Sequence, residues 1–510
     1  MKTLGRDNHV AAIASATVLA HFLVAMWHGG PVAVPDVSAY LSVSQWLAGG
    51  FLPEPLHFFP GYGMLLAPVG WLSGSALHDS ALVFNGILAG CCVFGAATLA
   101  GKCGGSSTVT TGAAALAAVH PSISTASRIA WPETLLALAV LVVALLLWRD
   151  SWGLAGLTAG LAVAVHPRAI VFVIAISLLA VADRRIRPVL LGMTPGLAVS
   201  AFLLHITSSW PWARLDAATS PGGGLGPVET ISGQWLALSA TSAGLAALGL
   251  IVSLRGVWNR TEPAAITFLG LSATVMLLLG GWVLAGSDRI DTLLYGRYIG
   301  PWVVPLTIVG LTAVMRGSIT RRAVAAASVP TLVGFVVVLF ANRDAIGEAR
   351  RIMTLGLGAL WAMFNGRFVP TLLAAMVLTV AGVLSARRGP LIPLAIVFAL
   401  AISSTVTNHH HLQQVGHIAD AQATAAELVP DDVTCLGHDA STKSYALWLY
   451  RLELPGMGHR RVDLAANEEP CSAYVVAADD ALVDCSDADL LGTEPRAKWG
   501  LWYYPKQGCN

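Results

Sequence analysis

The chain has 510 residues, of which 55% are hydrophobic and 12% charged, and its formal net charge is +1. So apolar a composition cannot cover a water-exposed surface, and the apolar residues come in runs of bilayer-crossing length, which excludes an array of soluble domains. Near neutrality without a basic cluster gives no footing for a nucleic-acid partner, so a polytopic membrane protein is the class that remains.

In chain order, the first apolar run covers residues 9–27. It ends in AMWHGG, a poor signal-peptidase site, and reads as a retained helix. In the loop behind it, Val37, Tyr40, Leu41, Val43 and Leu47 can share the apolar side of a short helix lying in the membrane interface. Asp36 stands just ahead of that helix as a candidate N-cap. LHFFPGYGMLLAPVGWL (56–72), punctuated by proline and glycine, reads as a second membrane-skimming helix. Further spans are predicted at 79–100, 107–119, 132–148, 152–165, 169–182, 188–206, 233–254, 264–285, 298–315, 323–341, 369–385 and 390–406, about thirteen in all. An odd number of crossings puts the N-terminus in the cytoplasm and the C-terminus outside the cell membrane. The segments assigned to the inside hold fourteen cations against four acids, and the outer loops before residue 407 nine against ten, in keeping with that orientation. Trp27, Trp131, Trp148 and Trp302 fall near proposed helix ends, where interfacial tryptophans belong.

From about Asn408 the charge rises and the long apolar runs stop. DDVTCLGHD and CSAYVVAADD read as short buried strands, STKSYALWLYRL as a helix and KWGLWYYP as a last strand. The expected architecture is an all-α polytopic membrane domain (1–407) followed by a small extracytoplasmic α/β domain (408–510). Cys435, Cys471, Cys485 and Cys509 fall in the latter, and Cys91, Cys92 and Cys103 in the membrane or on its inner side. One or two disulfides are expected, with all three full pairings open. The histidines of NHHHLQQVGH lack partners at a metal-binding spacing and read as the start of an interfacial helix.

Charges in or beside a bilayer are costly, so those that persist are functional candidates. The outer side gathers Asp36, His57, Arg128, Glu133, His166, Arg168 and Arg297; Asp288 and Asp291 read as solvated loop. Helix 152–165 would be only about 21 Å long at 1.5 Å per residue, against a hydrocarbon core of roughly 30 Å. Yet Arg149 before it and Arg184, Arg185 and Arg187 after the next helix all favour the cytoplasm. The tip of this hairpin therefore stops short of the outer surface. Pro167 breaks the helix there, and irregular backbone at depth is tolerated where it lines a polar cavity. Arg168 is expected to face a hollow open to the outside. The glycines of SPGGGLG (220–226) read as flexible linker, because no Lys-Ser/Thr follows them as in a nucleotide-phosphate loop.

An acid just after the first helix, then AYLSVSQWLAGG, FFPGYGMLLAP, RIAWPE, HPRA and YGRYIGP follow one another within residues 10–310. In that order they resemble the GT-C membrane glycosyltransferases, relatives of which include protein O-mannosyltransferases, lipid A aminoarabinose transferases and actinobacterial arabinosyl- and mannosyltransferases. The resemblance implies transfer of a sugar from a polyprenyl-phosphate donor to a glycan, lipid or protein acceptor on the far side of the membrane, with membrane lipid around the helices. It assigns the base to Asp36. Arg168 and Arg297 are expected to hold the donor phosphate, with His57 and His166 as further donors. Glu133, Arg128 and Tyr40 are expected to position the acceptor or to support the first set. Many members carry paired acids in the first loop, whereas Val37 stands beside Asp36 here, so no metal is carried over and no cofactor is expected. The sugar, be it arabinofuranose, mannose or another hexose, is not legible. A transporter or lipid flippase is the main alternative. It is disfavoured because the chain holds no second copy of the PDVSAY-to-FPGYG region and its charges crowd one side. A sensory protein with a glycan-binding outer domain is the third reading.

Overall fold

A computed structural model describes residues 2–32, 34–52, 59–72, 74–207, 225–259, 262–286, 290–341, 351–482 and 487–505. The helices are α1 (Lys2–Met26), α2 (Pro35–Leu47), α3 (Gly61–Leu65), α4 (Gly74–Lys102), α5 (Ser107–Val119), α6 (Pro121–Ser124), α7 (Glu133–Trp148), α8 (Trp152–Val165), α9 (Ile170–Ala182) and α10 (Ile186–Ile206). They continue with α11 (Pro227–Ala240), α12 (Leu245–Asn259), α13 (Ala264–Leu284), α14 (Gly296–Met315), α15 (Arg321–Ala341), α16 (Gly358–Met363), α17 (Phe368–Ser385) and α18 (Leu391–Asp420).

Among the described residues, eight helices are long and apolar enough to cross a membrane, and the bent pair α11–α12 makes a ninth if it counts as one span. Helices α5, α7, α8 and α9 are apolar but only 13 to 16 residues long, short of the ~20 that a bilayer core requires. The eight long helices, or nine spans with the bent pair, coincide with nine of the thirteen expected segments, and the four shorter helices coincide with the other four. The span expected at 233–254 is two helices meeting at 108°. Ala243 and Gly244 take positive φ (45° and 78°), a left-handed turn through which no right-handed helix continues.

Small residues fix the short helices. Gly156 and Gly160 of α8 lie against the backbone of α10, where an added Cβ would come within 2.7 Å of the Val189 and Met193 carbonyls. Gly192 and Gly196 answer from α10, and Ser200 Oγ donates to the Gly160 carbonyl at 2.8 Å. Such a seam lets two backbones touch, which is how membrane helices associate without a hydrophobic driving force. It anchors α8, and with it the His166–Arg168 turn at its end.

Not every aromatic near a helix end is interfacial. Trp27 is exposed, but Trp131 and Trp302 are buried.

Helix α18 runs unbroken across residue 408 to Asp420, because Asn, His and Gln are tolerated in a helix and no breaker intervenes. Beyond it, β1 (Cys435–Asp439), α19 (Ser444–Glu453), β2 (Gly458–Val462), β3 (Tyr474–Ala478), β4 (Asp489–Thr493) and β5 (Trp499–Tyr503) form one sheet in the order β2-β1-β3-β5-β4. Strands β1, β2 and β3 are parallel, and β5 pairs antiparallel with both β3 and β4. The two strands that the sequence does not announce, β2 and β4, are the sheet edges. Their exposed, charged or irregular residues lack a buried alternation. Cys435 and Cys471 form a disulfide; Cys485 and Cys509 lie outside the described residues.

A carboxylate holds this domain together. Glu494, 2% exposed, accepts from Tyr450 Oη (2.5 Å), Ala425 N (3.0 Å), Thr424 N (2.8 Å) and Thr424 Oγ1 (2.8 Å). Burial, then the neighbouring carboxylate, pushes the Tyr450 phenol well up, so it stays protonated and donates. Glu494→Ala is expected to lower the domain's unfolding free energy by about 2–4 kcal/mol, since it strands several buried donors at once. Denaturant unfolding followed by tryptophan fluorescence checks this.

The domain sits directly on the first loop. Gln45 Nε2 donates to the Leu452 carbonyl and Phe51 N to the Pro455 carbonyl, both at 3.0 Å. Leu449 and Leu452 of α19 pack in one cluster with Val37, Tyr40 and Leu41. Helix α2 is therefore not an interfacial helix with one wet side: residues 37–45 are all buried. Glu453, at the end of α19, accepts from the Ser75 backbone at the start of α4, and burial followed by the nearby Asp420 pushes its carboxyl up to about 7. The folded protein then binds the proton more tightly than the unfolded chain, whose carboxyl titrates near 4.5. Stability should fall as pH rises between these values and level off above them. Thermal unfolding of Glu453→Gln is expected to lose that slope.

Candidate active site

The first turns of three helices meet beneath the C-terminal domain. Asp36 is the second residue of α2, after Pro35 and the N-cap Val34, so it is not itself the cap. Glu133 is the first residue of α7, after Pro132, and Arg297 the second of α14. Prolines at or just before the first turn suit both carboxylate helices, because that turn needs no N–H there. Acids in the first turn also suit the helix dipole, whereas a cation there opposes it. Arg297 is tolerated because both acids reach it: its Nε donates to Glu133 Oε1 and its Nη1 to Asp36 Oδ2.

Arg168 completes the cluster from the turn after α8. Its Nη2 donates to the same Glu133 Oε1 at 2.5 Å, and its Nη1 to the Arg297 carbonyl at 3.0 Å. The Arg168 backbone N–H and Nε–H both donate to His166 Nδ1 (3.1 and 3.2 Å), which leaves the ring proton of a neutral His166 on Nε2. Each guanidinium lies over an aromatic face: Arg297 over Trp131 at 4.1 Å, Arg168 over Tyr298 at 4.6 Å. Two arginines and two carboxylates balance in charge, as a buried ionic group must. Arg168, Glu133 and Arg297 are buried, and Asp36 is 20% exposed. Among the described residues, Arg297 Nη2 and Glu133 Oε2 are buried without a hydrogen-bond partner.

The chain thus brings together Asp36, Glu133, His166, Arg168 and Arg297. Among the described residues, Asp36 touches Arg297 directly, and Arg168 is 6% exposed and faces Glu133 and Tyr298. Tyr40 packs edge-on to Tyr62 in the cluster that contains Trp131. Arg128 is near enough to His21, His28 and His409 to act on them electrostatically. Asp291 is fully buried, not part of a solvated loop. His57, Asp288 and residues 220–224 of the glycine-rich stretch lie outside the described residues. Sequence reasoning missed Trp131 and Tyr298, whose signal was their place next to the charges in RIAWPE and GRY. Among the described residues, no group of three His, Cys, Asp or Glu side chains gathers to hold a metal.

The glycines of FPGYG set the approach of the first loop. A Cβ on Gly61 would come within 2.7 Å of the Ala164 carbonyl at the end of α8, and one on Gly63 would run into the Tyr40 carbonyl. Gly61→Ala is expected to cost about 1–3 kcal/mol through overpacking against backbone and to displace the loop from the Arg168 turn. Thermal unfolding and a transfer assay both register it.

Neither a protein-family model nor a curated protein sequence matches the chain. Among solved structures, ArnT from Cupriavidus metallidurans in the apo state matches with a TM-score of 0.55 at 15% identity, over 96% of this chain and 97% of that one. The same protein bound to undecaprenyl phosphate matches with a TM-score of 0.54 at 13% identity, over the same shares. The oligosaccharyltransferase of Archaeoglobus fulgidus gives a TM-score of 0.45 at 12% identity, over 91% of this chain and 68% of that one. This chain has the GT-C fold. The likeness to ArnT is one of fold, over 96% of this chain. At the junction of α2, α7 and α14, a carboxylate that is 20% exposed lies beside two aromatic-backed guanidiniums, at three helix N-termini whose dipoles favour an anion.

Proposed function

We propose that the chain is an inverting glycosyltransferase of the cell membrane, which moves a sugar from a polyprenyl-phosphate donor to an acceptor hydroxyl on the outer side. The observation that carries this reading is the Asp36–Arg297–Glu133–Arg168 cluster at three converging helix N-termini. The site is neutral without donor, because Asp36 occupies Arg297. A donor phosphate would take that place on Arg297, with the buried Nη2 as a further hydrogen-bond donor, and so release the carboxylate. Asp36 then accepts the proton of the acceptor hydroxyl as the oxygen attacks the anomeric carbon from the face opposite the phosphate. The bond from that carbon to the phosphate oxygen breaks, and its electron pair leaves with polyprenyl phosphate. Arg297 and Arg168 meet the added negative charge, the kind of preorganised stabilisation that contributes most to such transfers. Glu133 keeps the two guanidiniums in register. The acceptor is a cell-envelope glycan, lipid or protein, and the sugar arabinofuranose, mannose or another hexose.

Purified protein in lipid nanodiscs, incubated with a panel of polyprenyl-phosphate sugars and an envelope acceptor fraction, is expected to consume one donor and release polyprenyl phosphate. Failure to turn over any of the panel, with the protein folded, would count for the transporter reading.

A further inference from the structure

The C-terminal domain carries a cavity of about 730 Å³ that the transfer chemistry leaves unused. Its position follows from the sheet. From β1 the chain passes through α19 to β2 on one side, then returns to β3 on the other side of β1. The carboxyl ends of β1 and β3 are therefore where strand order reverses, the place at which open α/β sheets hold their ligands. Ser441, Thr442 and Lys443, which follow β1, line the cavity together with Asp480, which follows β3. Arg496 and Lys498, between β4 and β5, add two more cations, so three positive side chains face one acid, and all four are exposed.

The remaining wall is mostly apolar and aromatic, with Ile418 from α18, Tyr445 and Trp499, and Gln422 adds a polar amide. Trp499 is 5% exposed, and its Nε1–H has no acceptor among the described residues. Lysine and arginine at a rim select carboxylate or phosphate, arginine with two parallel hydrogen bonds. An aromatic wall takes the C–H face of a sugar ring, and an indole N–H takes a hydroxyl or ring oxygen. The volume lies within the range that encloses a ligand of one to a few rings.

We infer that this cavity binds an anionic saccharide unit, a sugar bearing a carboxylate or a phosphate, as a hold on the acceptor glycan. Its role as a hold on the acceptor rests on the transfer reading above; the binding itself rests on the cavity alone.

The test is ligand-observed NMR titration of the full chain in nanodiscs with glucuronate, glucose 6-phosphate, glucose and inorganic phosphate in separate arms. At least one charged sugar is expected to bind ten-fold or more tightly than both glucose and inorganic phosphate. The double variant Arg496→Ala/Lys498→Ala, at exposed positions and with an unchanged thermal midpoint, should weaken it ten-fold or more. Glucuronate or glucose 6-phosphate alone as the binder supports the proposal and names the anionic group. Glucose binding as well as the charged sugars, inorganic phosphate binding as well as glucose 6-phosphate, no saturable binding, or an unaffected double variant would each overturn it. Asp36→Asn should retain this binding while losing transfer. Saccharide binding without any donor turnover sinks the transfer reading alone, and donor turnover without saccharide binding sinks this one alone.

Discussion

Asp36→Asn is expected to lower the rate of glycosyl transfer by about 10²–10⁴-fold, the contribution of a positioned general base, without weakening donor binding. The asymmetry follows from the contact between Asp36 and Arg297. In the donor-free state the carboxylate competes with phosphate for the guanidinium. An amide of the same shape removes that competition, so affinity for polyprenyl phosphate should stay within a few-fold of the wild type or improve. A residue that merely braced the fold would instead lose stability and donor affinity together. Single-turnover rates and equilibrium binding of undecaprenyl phosphate, measured on the same preparation, separate the two. An Asn variant with full turnover would remove Asp36 from the role of base.

Arg297→Lys is expected to be nearly as damaging, although it keeps the charge. The guanidinium reaches Glu133 through Nε and Asp36 through Nη1 while lying 4.1 Å over the Trp131 ring. A lysine ammonium is a single point and cannot serve two carboxylates on different sides and an aromatic face together. One acid would be left buried and poorly paired, and breaking a buried ionic group of this kind costs about 3–5 kcal/mol. Donor affinity should fall ten-fold or more, and the thermal midpoint should drop as well. A Lys variant with wild-type midpoint and donor affinity would mean that the cluster is an interfacial anchor rather than a phosphate site.

Much of this arrangement was legible because bilayers make charge conspicuous. Asp36, Glu133, Arg168 and Arg297 stand out in a chain with so few charged residues, and Pro167 marks the break that brings Arg168 inward. Their mutual contacts were not legible, because pairing across 261 residues between Asp36 and Arg297 depends on how three helix starts converge. The direct contact between Asp36 and Arg297 escaped for the same reason, since sequence places both on one side of the membrane but not against each other. Helix existence was clear from apolar runs, yet the bend at Ala243–Gly244 was not, since no proline announces it. The burial of α2 was hidden too, because its cover is supplied by Leu449 and Leu452, some four hundred residues away. Edge strands β2 and β4 lack the continuous buried run that made β1, β3 and β5 readable.

The most direct measurement is an experimental structure of the protein with undecaprenyl phosphate bound. The expected result is a phosphate within hydrogen-bond distance of Arg297 and Arg168, with the Asp36–Arg297 contact opened and the carboxylate turned toward the space beside it. A phosphate seated elsewhere, with that contact intact, would contradict the account.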